Sequence, residues 1–552
     1  MRGGAKSTVS SPDSPPTRWG AFSHSAFVVI WAASMVSNIG IAMFDTASGW
    51  FMTNLSADPI MVSLVQVATS LPLFLFTLPA GALTDLVDPR RLLVGVEISV
   101  AVVAALFAAS VSLGLATTNV LLLATFLLGV GGALCAPAWV SIAPLLVPRR
   151  DLDSAVAANT VGYNLSRAIG PALGGVAIAG FGVAVPFWIY AATNVVVLGS
   201  LLWWRQPSRT SDTLPAERLT SAIRTGLRHA RNNPHLFETL VRTLAFFPFA
   251  SAYWALLPLI ARSQMDQGPQ FYGLLLGSIG VGAIVGSLVL NWLKAKLGPD
   301  ILVALATVGT AVALVLFGLA RNAEIAVAAC VIAGVTWTLT LAALYVSAQV
   351  ALPNWVRGRG LAIFLTIIFG ASTVGSAVWG RIAGMEGLPI AQFIAAGGAL
   401  LAIPLTWRFK LQTGLGLDLY PSMHWPTPRI AQEIELNHGP VLVKIEYQID
   451  PNNHIAFLSA IEEVGRQRKR DGAYAWGVFE NIGSEGSFVE AFLIESWLEL
   501  MHQRERVTNA DRVLENQVRR LLLASPRVSH LIAPKRMRPS RIQRLRMAAQ
   551  SM

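Results

Sequence analysis

GALTDLVDPRRLL, residues Gly81 to Leu93, packs Asp85, Asp88, Arg90 and Arg91 into one short stretch. The residues on either side are uncharged, from Pro59 to Thr84 and from Ile98 to Pro148. Each flank is longer than the roughly 20 apolar residues a helix needs to cross a bilayer core. A charged knot between two such flanks reads as a loop at a membrane surface, joining two spanning helices. Lipid offers the backbone no hydrogen-bond partners, so the spans must be helices.

The rest of the chain repeats this pattern. Of 552 residues, 54% are hydrophobic and only 13% charged, with a mean hydropathy of +0.55. A soluble domain carries about 25% charged residues. The two cysteines, Cys135 and Cys330, sit in apolar runs without C-x-x-C or histidine-rich surroundings. Neither a disulfide framework nor a metal site is expected, and no cofactor. The net charge of +11 lies largely in short loops and in the tail from Lys535 to Arg546. That placement fits a membrane surface and anionic lipid, not nucleic acid. The polar N-terminus, with Arg2, Lys6 and Arg18, runs into an apolar stretch too long for a signal-peptide core, so an uncleaved first span is expected.

Apolar runs between charges give twelve candidate spans, beginning near Ser25, Pro59, Leu92, Asn119, Ala155, Ala184, Thr243, Phe271, Ile301, Ile325, Gly360 and Gly387. Loops after even-numbered spans hold Arg90 and Arg91, Arg149 and Arg150, the Arg205–Arg242 linker, Lys294 and Lys296, and Arg357 and Arg359. The other loops hold single cations such as Arg262, Arg321 and Arg381. The positive-inside rule puts the even loops and both termini in the cytoplasm.

The two halves repeat. An offset of 205 lays Gly81 on Gly286, Gly129 on Gly334, Pro148 on Pro353, Gly170 on Gly375 and Gly175 on Gly380, without a gap. Two six-span halves of the same topology make a parallel repeat, and rocking them about a central cavity gives alternating access. The fold class expected is an all-α polytopic membrane protein, twelve transmembrane helices in two six-helix pseudo-repeats, with a small α+β domain appended. The expected divisions are a tail (1–23), half one (24–205), a linker (206–241), half two (242–410), a second linker (411–438), the small domain (439–534) and a basic tail (535–552).

This pattern resembles the major facilitator superfamily. Gly81, Leu83, Asp85, Arg90 and Arg91 look like its signature loop between the second and third spans, although Asp88 stands where a second glycine is usual and Leu86 where a basic residue is usual. The resemblance implies a conformational latch at Gly81, Asp85, Arg90 and Arg91, with the Asp85 partner near Arg357 and Arg359. In the fifth span, NLSRAIGPALGG resembles the superfamily's exporter motif through Gly170, Pro171, Gly174 and Gly175, with Ser166 in place of a glycine. Together with MFDTASGWFMTNLS in span one, Trp19 to about Lys410 is similar to the branch called transmembrane secretion effectors, which includes enterobactin exporters. That implies proton-coupled export of siderophores or drug-like small molecules across the bacterial plasma membrane.

Ionisable residues inside spans are costly and mark pathways. Asp45 and Glu97 are the candidates for proton coupling, with helix capping and pairing to Arg90 or Arg91 as their structural alternatives. Thr160, Asn164 and Arg167 share a face with Pro171 by i, i+3 and i+4 spacing and are candidates for the substrate cavity. Trp139, Phe246, Phe247, Phe249, Tyr253 and Trp254 serve either a ligand pocket or packing.

After Lys410 the composition changes. PVLVKIEYQI, AYAWGVFE, FVEAFLIE and RVSHLIA read as strands, and two helical stretches lie between them in β-α-β-β-α-β order. Residues from about Gly439 to Pro534 look like the antibiotic-biosynthesis-monooxygenase type of ferredoxin-like domain. His454, Trp476, Trp497, His502 and Arg504 are its pocket candidates. A regulatory or dimerising role, with self-association through this domain, is favoured over catalysis. An importer of the same fold and a membrane-tethered enzyme stay open as alternatives.

Overall fold

A computed structural model describes residues 20–204, 219–414, 418–425 and 434–534. The N-terminal cations, linker residues 205–218 and the basic tail lie outside the described residues. The chain divides into two compact units. Unit 1 takes residues up to Ile223, Glu238–Ala348 and Leu361–Thr413. Unit 2 takes Arg224–Phe237, Gln349–Gly360 and the chain from Gly414 onward.

Unit 1 is helical. Its first half contains α1 (Ser25–Leu55), α2 (Pro59–Leu86), α3 (Pro89–Ser112), α4 (Thr118–Leu146), α5 (Leu152–Phe181) and α6 (Ala184–Trp203). After α7 (Leu219–Asn232) come α8 (Pro234–Leu259), α9 (Pro269–Leu319), α10 (Ala323–Val350), α11 (Arg357–Glu386) and α12 (Leu388–Thr406). Among the described residues, ten helices are long and apolar enough to cross a membrane. One of them, α9, is two helices merged across a break at Gly298, where φ is +70°. Glycine adopts that left-handed turn without steric cost, and the following Pro299 opens the next helix. α5 is outside the ten; Asp153, Asn164 and Arg167 make it less apolar.

Two helix starts use the same device. Asp58 accepts from Ile60 N at 2.9 Å and Asp88 from Arg91 N at 3.0 Å, each followed by a proline at the first helical position. An N-cap aspartate is worth about 1 kcal/mol, and proline's fixed φ suits the position after it. The residue that departs from the signature loop, Asp88, is thus the cap of α3.

The 205-residue repeat is visible in the helices. Shifted by that offset, α5 from Leu152 to Phe181 lands end to end on α11, from Arg357 to Glu386. The first half is held by small-residue packing and an aromatic cluster in which Phe107 and Phe187 lie 4.8 Å apart and Phe44 packs on both.

In unit 2, β1 (Val441–Gln448), β2 (Ala475–Glu480), β3 (Ser487–Ile494) and β4 (Arg527–Ile532) form one antiparallel sheet in the order β2-β3-β1-β4. β1 pairs Val441 with Ile494 and with Ile532, and its burial alternates residue by residue. α13 (His454–Asp471), α14 (Trp497–Arg506) and α15 (Asn509–Arg519) cover the sheet, with Phe457, Ile461, Phe488 and Phe492 in the core. The expected second helix is broken because Thr508 and Asp511 form a capping box that starts a new one.

Described residues of the stretch expected to be a turn-rich linker, 411–438, bond within each unit. In unit 1, Leu411 N donates to Asp300 at 3.1 Å and Gln412 N to Ser347 at 2.9 Å. In unit 2, Ser422 N donates to Val507 O at 2.9 Å and Asn509 N to Tyr420 O at 3.0 Å. Its unpaired backbone groups find partners there, which composition alone does not reveal.

Candidate transport cavity

The two halves of unit 1 line a cavity of about 250 Å³ between them. α1 contributes Asp45, exposed into it, and Gly49; α2 contributes Gln66, Thr69 and Ser70. The second half contributes Trp254 from α8, Tyr272 from α9, Trp337 from α10, and Phe369 and Ser372 from α11. The cavity thus has one acid, several hydroxyl and amide groups, and aromatic walls.

At the end carrying the α1–α2 and α5–α6 loops the halves touch. Trp50 stacks on Tyr272 with ring centroids 6.1 Å apart. Arg262 lies over Trp50 at 5.6 Å, donates to Thr53 at 3.0 Å and bonds Asn54. Nearer the cavity, Ser70 and Thr373 share a hydrogen bond of 2.7 Å. α5 crosses α9 at glycines: a Cβ on Gly273 would lie 2.6 Å from Pro171 O, and one on Gly175 3.1 Å from Gly273 Cα. Backbones approach this closely only where side chains are absent. Gly170 and Gly174 face α1 instead, against Ala42 and Met43. Ser166, which replaces a glycine of the motif, is buried and donates to Met35 O at 3.2 Å.

The sequence candidates separate. Asp45 lies within α1 and is not a helix cap. Thr160, Asn164 and Arg167 share α5 but do not line the cavity; Thr160 is exposed and donates to Val156 O. Arg167 stacks on Tyr163 at 5.8 Å, and its charge acts on Asp45. Glu97 is buried inside the first half, where Cys135 Sγ lies 3.9 Å from Oε1, away from the cavity. It is not paired with Arg90, which caps α6 by donating to Leu201 O at 3.0 Å and Leu202 O at 3.1 Å.

At the expected latch, a Cβ on Gly81 would meet nothing within 4 Å among the described residues. Arg91 is exposed. The side chain of Asp85 lies outside the described residues. In unit 2, Arg357 turns back to Leu352 O at 3.5 Å. Of the aromatic candidates, Trp254 lines the cavity, while Phe246, Phe247 and Tyr253 are core, Phe249 packs on Trp379, and Trp139 packs in the first half's core. Sequence reasoning missed Gln66, Thr69 and Ser70. Their i, i+3, i+4 spacing in an otherwise apolar helix was the available signal.

In unit 2, Arg504 of the five pocket candidates lines a cavity. His454 packs on Phe488, Trp476 donates to Glu490 at 2.9 Å, Trp497 is core, and His502 sits 3.8 Å from Glu499.

Two repeated helical halves around a central cavity are the plan of a major facilitator transporter. The family described as transmembrane secretion effector matches residues 16–538, and the chain belongs to that family. Enterobactin exporter EntS of Escherichia coli O1:K1 is 25% identical over 390 residues, covering 69% of this chain and 90% of the exporter. A solved POT family transporter in complex with 5-aminolevulinic acid aligns with a TM-score of 0.57 at 11% identity, over 70% of this chain and 96% of that one. A bacterial homologue of the human lysosomal transporter Spinster, inward-facing and unoccupied, aligns with a TM-score of 0.53 at 15% identity, over 73% and 100%. These two likenesses concern the fold.

Proposed function

We propose that this transporter is a proton-coupled exporter of siderophore-like or drug-like small molecules, working by alternating access in the bacterial plasma membrane. The observation that carries the reading is Asp45, an acid exposed into a cavity walled by both halves. A carboxylate there can exchange a proton with whichever side the cavity faces, and such residues mark proton pathways. Trp254, Tyr272, Trp337 and Phe369 offer ring faces to aromatic ligands, each such pairing worth about 0.5–1.5 kcal/mol. The similarity to an enterobactin exporter supports the outward direction and the substrate class.

The span count is twelve when α9 is counted as two helices about Gly298 and α5 is included. The loop cations put both termini and unit 2 in the cytoplasm. In that orientation the touching ends of the halves are periplasmic, so the cavity faces inward. Gly81, Asp85, Arg90 and Arg91 then belong to a latch made in the outward-facing state.

The test uses inverted vesicles with a pre-formed proton gradient and an internal pH dye. Adding catecholate siderophores, macrolides or aromatic dyes releases protons in the wild type and not in Asp45→Asn. Release that persists unchanged in the variant removes Asp45 from coupling. Silence toward every ligand, in vesicles shown to be tight, counts against proton-coupled export of these classes.

A further inference from the structure

Unit 2 contains a partly open cavity that shares no lining residue with the cavity of unit 1. Val443 and Ile445 of β1 and Phe492 of β3 face Val464 of α13 and Leu500 and Met501 of α14 across a cavity of about 120 Å³. An apolar cavity on the order of 150 Å³ takes up benzene, so this space suits a single ring. Trp425, from the stretch expected to be linker, forms another wall and stacks under Arg468 at 4.5 Å.

The charges around this cavity are unequal. Arg468 is already neutralised: it donates to Glu515 at 2.7 Å and to Glu490 at 3.3 Å. Arg504 and Arg519 also line the cavity, and neither pairs with a carboxylate among the described residues. Arg504 instead gives its Nε to Trp425 O at 2.9 Å. An apolar slot for one ring, with two uncompensated guanidinium groups beside it, matches a monocyclic aromatic carboxylate. Guanidinium groups bind carboxylates in a planar, charge-assisted geometry.

α14 has a second face. Leu500, Met501 and Arg504 wall the cavity, while Glu499 and Arg506, seven residues apart, share another side of the helix. Glu499 accepts from Arg506 at 2.7 Å and from Arg228 of the α7 linker helix at 3.2 Å. The Arg506 guanidinium lies over Trp355, in the α10–α11 loop, at 4.3 Å. Trp355 packs edge-on against His229 of α7 at 5.4 Å. One short helix therefore walls the cavity and grips both the segment that joins the transport halves and the loop that leads into α11.

We propose that the unit 2 cavity is a regulatory site for a small aromatic carboxylate, and that α14 passes its occupancy to α7 and the α10–α11 loop. The site rests on unit 2 alone; only its consequence for transport rests on the reading above.

The test uses the full-length protein in lipid nanodiscs. Calorimetric titration with benzoate and salicylate gives saturable binding, and benzyl alcohol binds at least tenfold more weakly. Met501→Trp, which fills the cavity, and the double variant Arg504→Gln/Arg519→Gln each weaken binding tenfold or more with the unfolding midpoint of unit 2 retained. Salicylate slows hydrogen exchange in α7 and in residues 349–360 of the wild type, and this protection disappears in Glu499→Gln although the acid still binds. No saturable binding in the wild type, or binding unchanged in both cavity variants, overturns the site. Binding without altered exchange in those two segments overturns the coupling. Neither readout requires transport, so failure of the exporter reading leaves both intact.

Discussion

Asp45, Asp88 and Glu515 are acids with different work to do, and their surroundings decide which. Asp88 caps α3 and is fixed by a backbone N–H. Asp45 stands open in the cavity, with Arg167 as the nearby charge. Glu515 is buried in unit 2. Burial alone raises its pKa, but the charge of Arg468 and the hydrogen bond from His424 prevail and hold it at about 2. A carboxyl held below its usual value stabilises the fold above the unfolded value and loses that contribution as pH falls toward the folded one. A drop from 4.5 to about 2 corresponds to about 3 kcal/mol. Glu499 is displaced the same way and by the same amount: the His502 hydrogen bond and the Arg506 charge overcome its burial. Hydrogen exchange of β1 and β3 amides should therefore show unit 2 weakening between about pH 5 and pH 2. Glu515→Gln should be less stable at pH 7, because Arg468 loses a partner in the interior, and should respond less to acid. An acid response as steep as that of the wild type would remove Glu515 as a source of the slope.

Between helices, the glycines are not equivalent. Gly273 and Gly175 stand where α5 and α9 approach backbone to backbone, so an added side chain must push the halves apart. Overpacking of this kind costs about 1–3 kcal/mol. A Cβ on Gly81, in the resembled signature stretch, meets no atom within 4 Å among the described residues. Alanine there should leave stability unchanged or raise it by up to about 1 kcal/mol, since alanine favours helix over glycine. The thermal unfolding midpoint should therefore fall in Gly273→Val and not in Gly81→Ala. If Gly81→Ala also slows transport at full stability, Gly81 is needed in the opposite conformation, where the latch would close. Equal destabilisation by both substitutions would contradict the packing described here.

Across the whole molecule, the residues that line the cavity all come from unit 1, before Thr413. Unit 1 keeps Leu411 and Gln412 through Asp300 and Ser347, and Arg242 holds Phe409 O at 2.9 Å. A chain ending at Thr413 therefore keeps the contacts that close α12 onto its half. It should transport the same substrates within about a factor of a few of the wild-type rate, measured in proteoliposomes. Complete loss of transport in a truncated protein that still unfolds cooperatively would revive the reading in which unit 2 supplies the chemistry.

The sequence by itself determined the helical membrane class, the two repeated halves and the succession of strands along the C-terminal domain. These follow from apolar run length and from period-two alternation, which are local properties. It also marked Asp45, because an acid in an apolar span stands out without any neighbour. Only the tertiary structure decided that Glu97 faces the first half's interior, that Arg90 caps α6, and that Thr160, Asn164 and Arg167 miss the cavity wall. Helical spacing says which residues share a face, not what that face meets. The same limit hid Trp425, whose turn-rich stretch gains its place by pairing with residues 85 and 90 positions away.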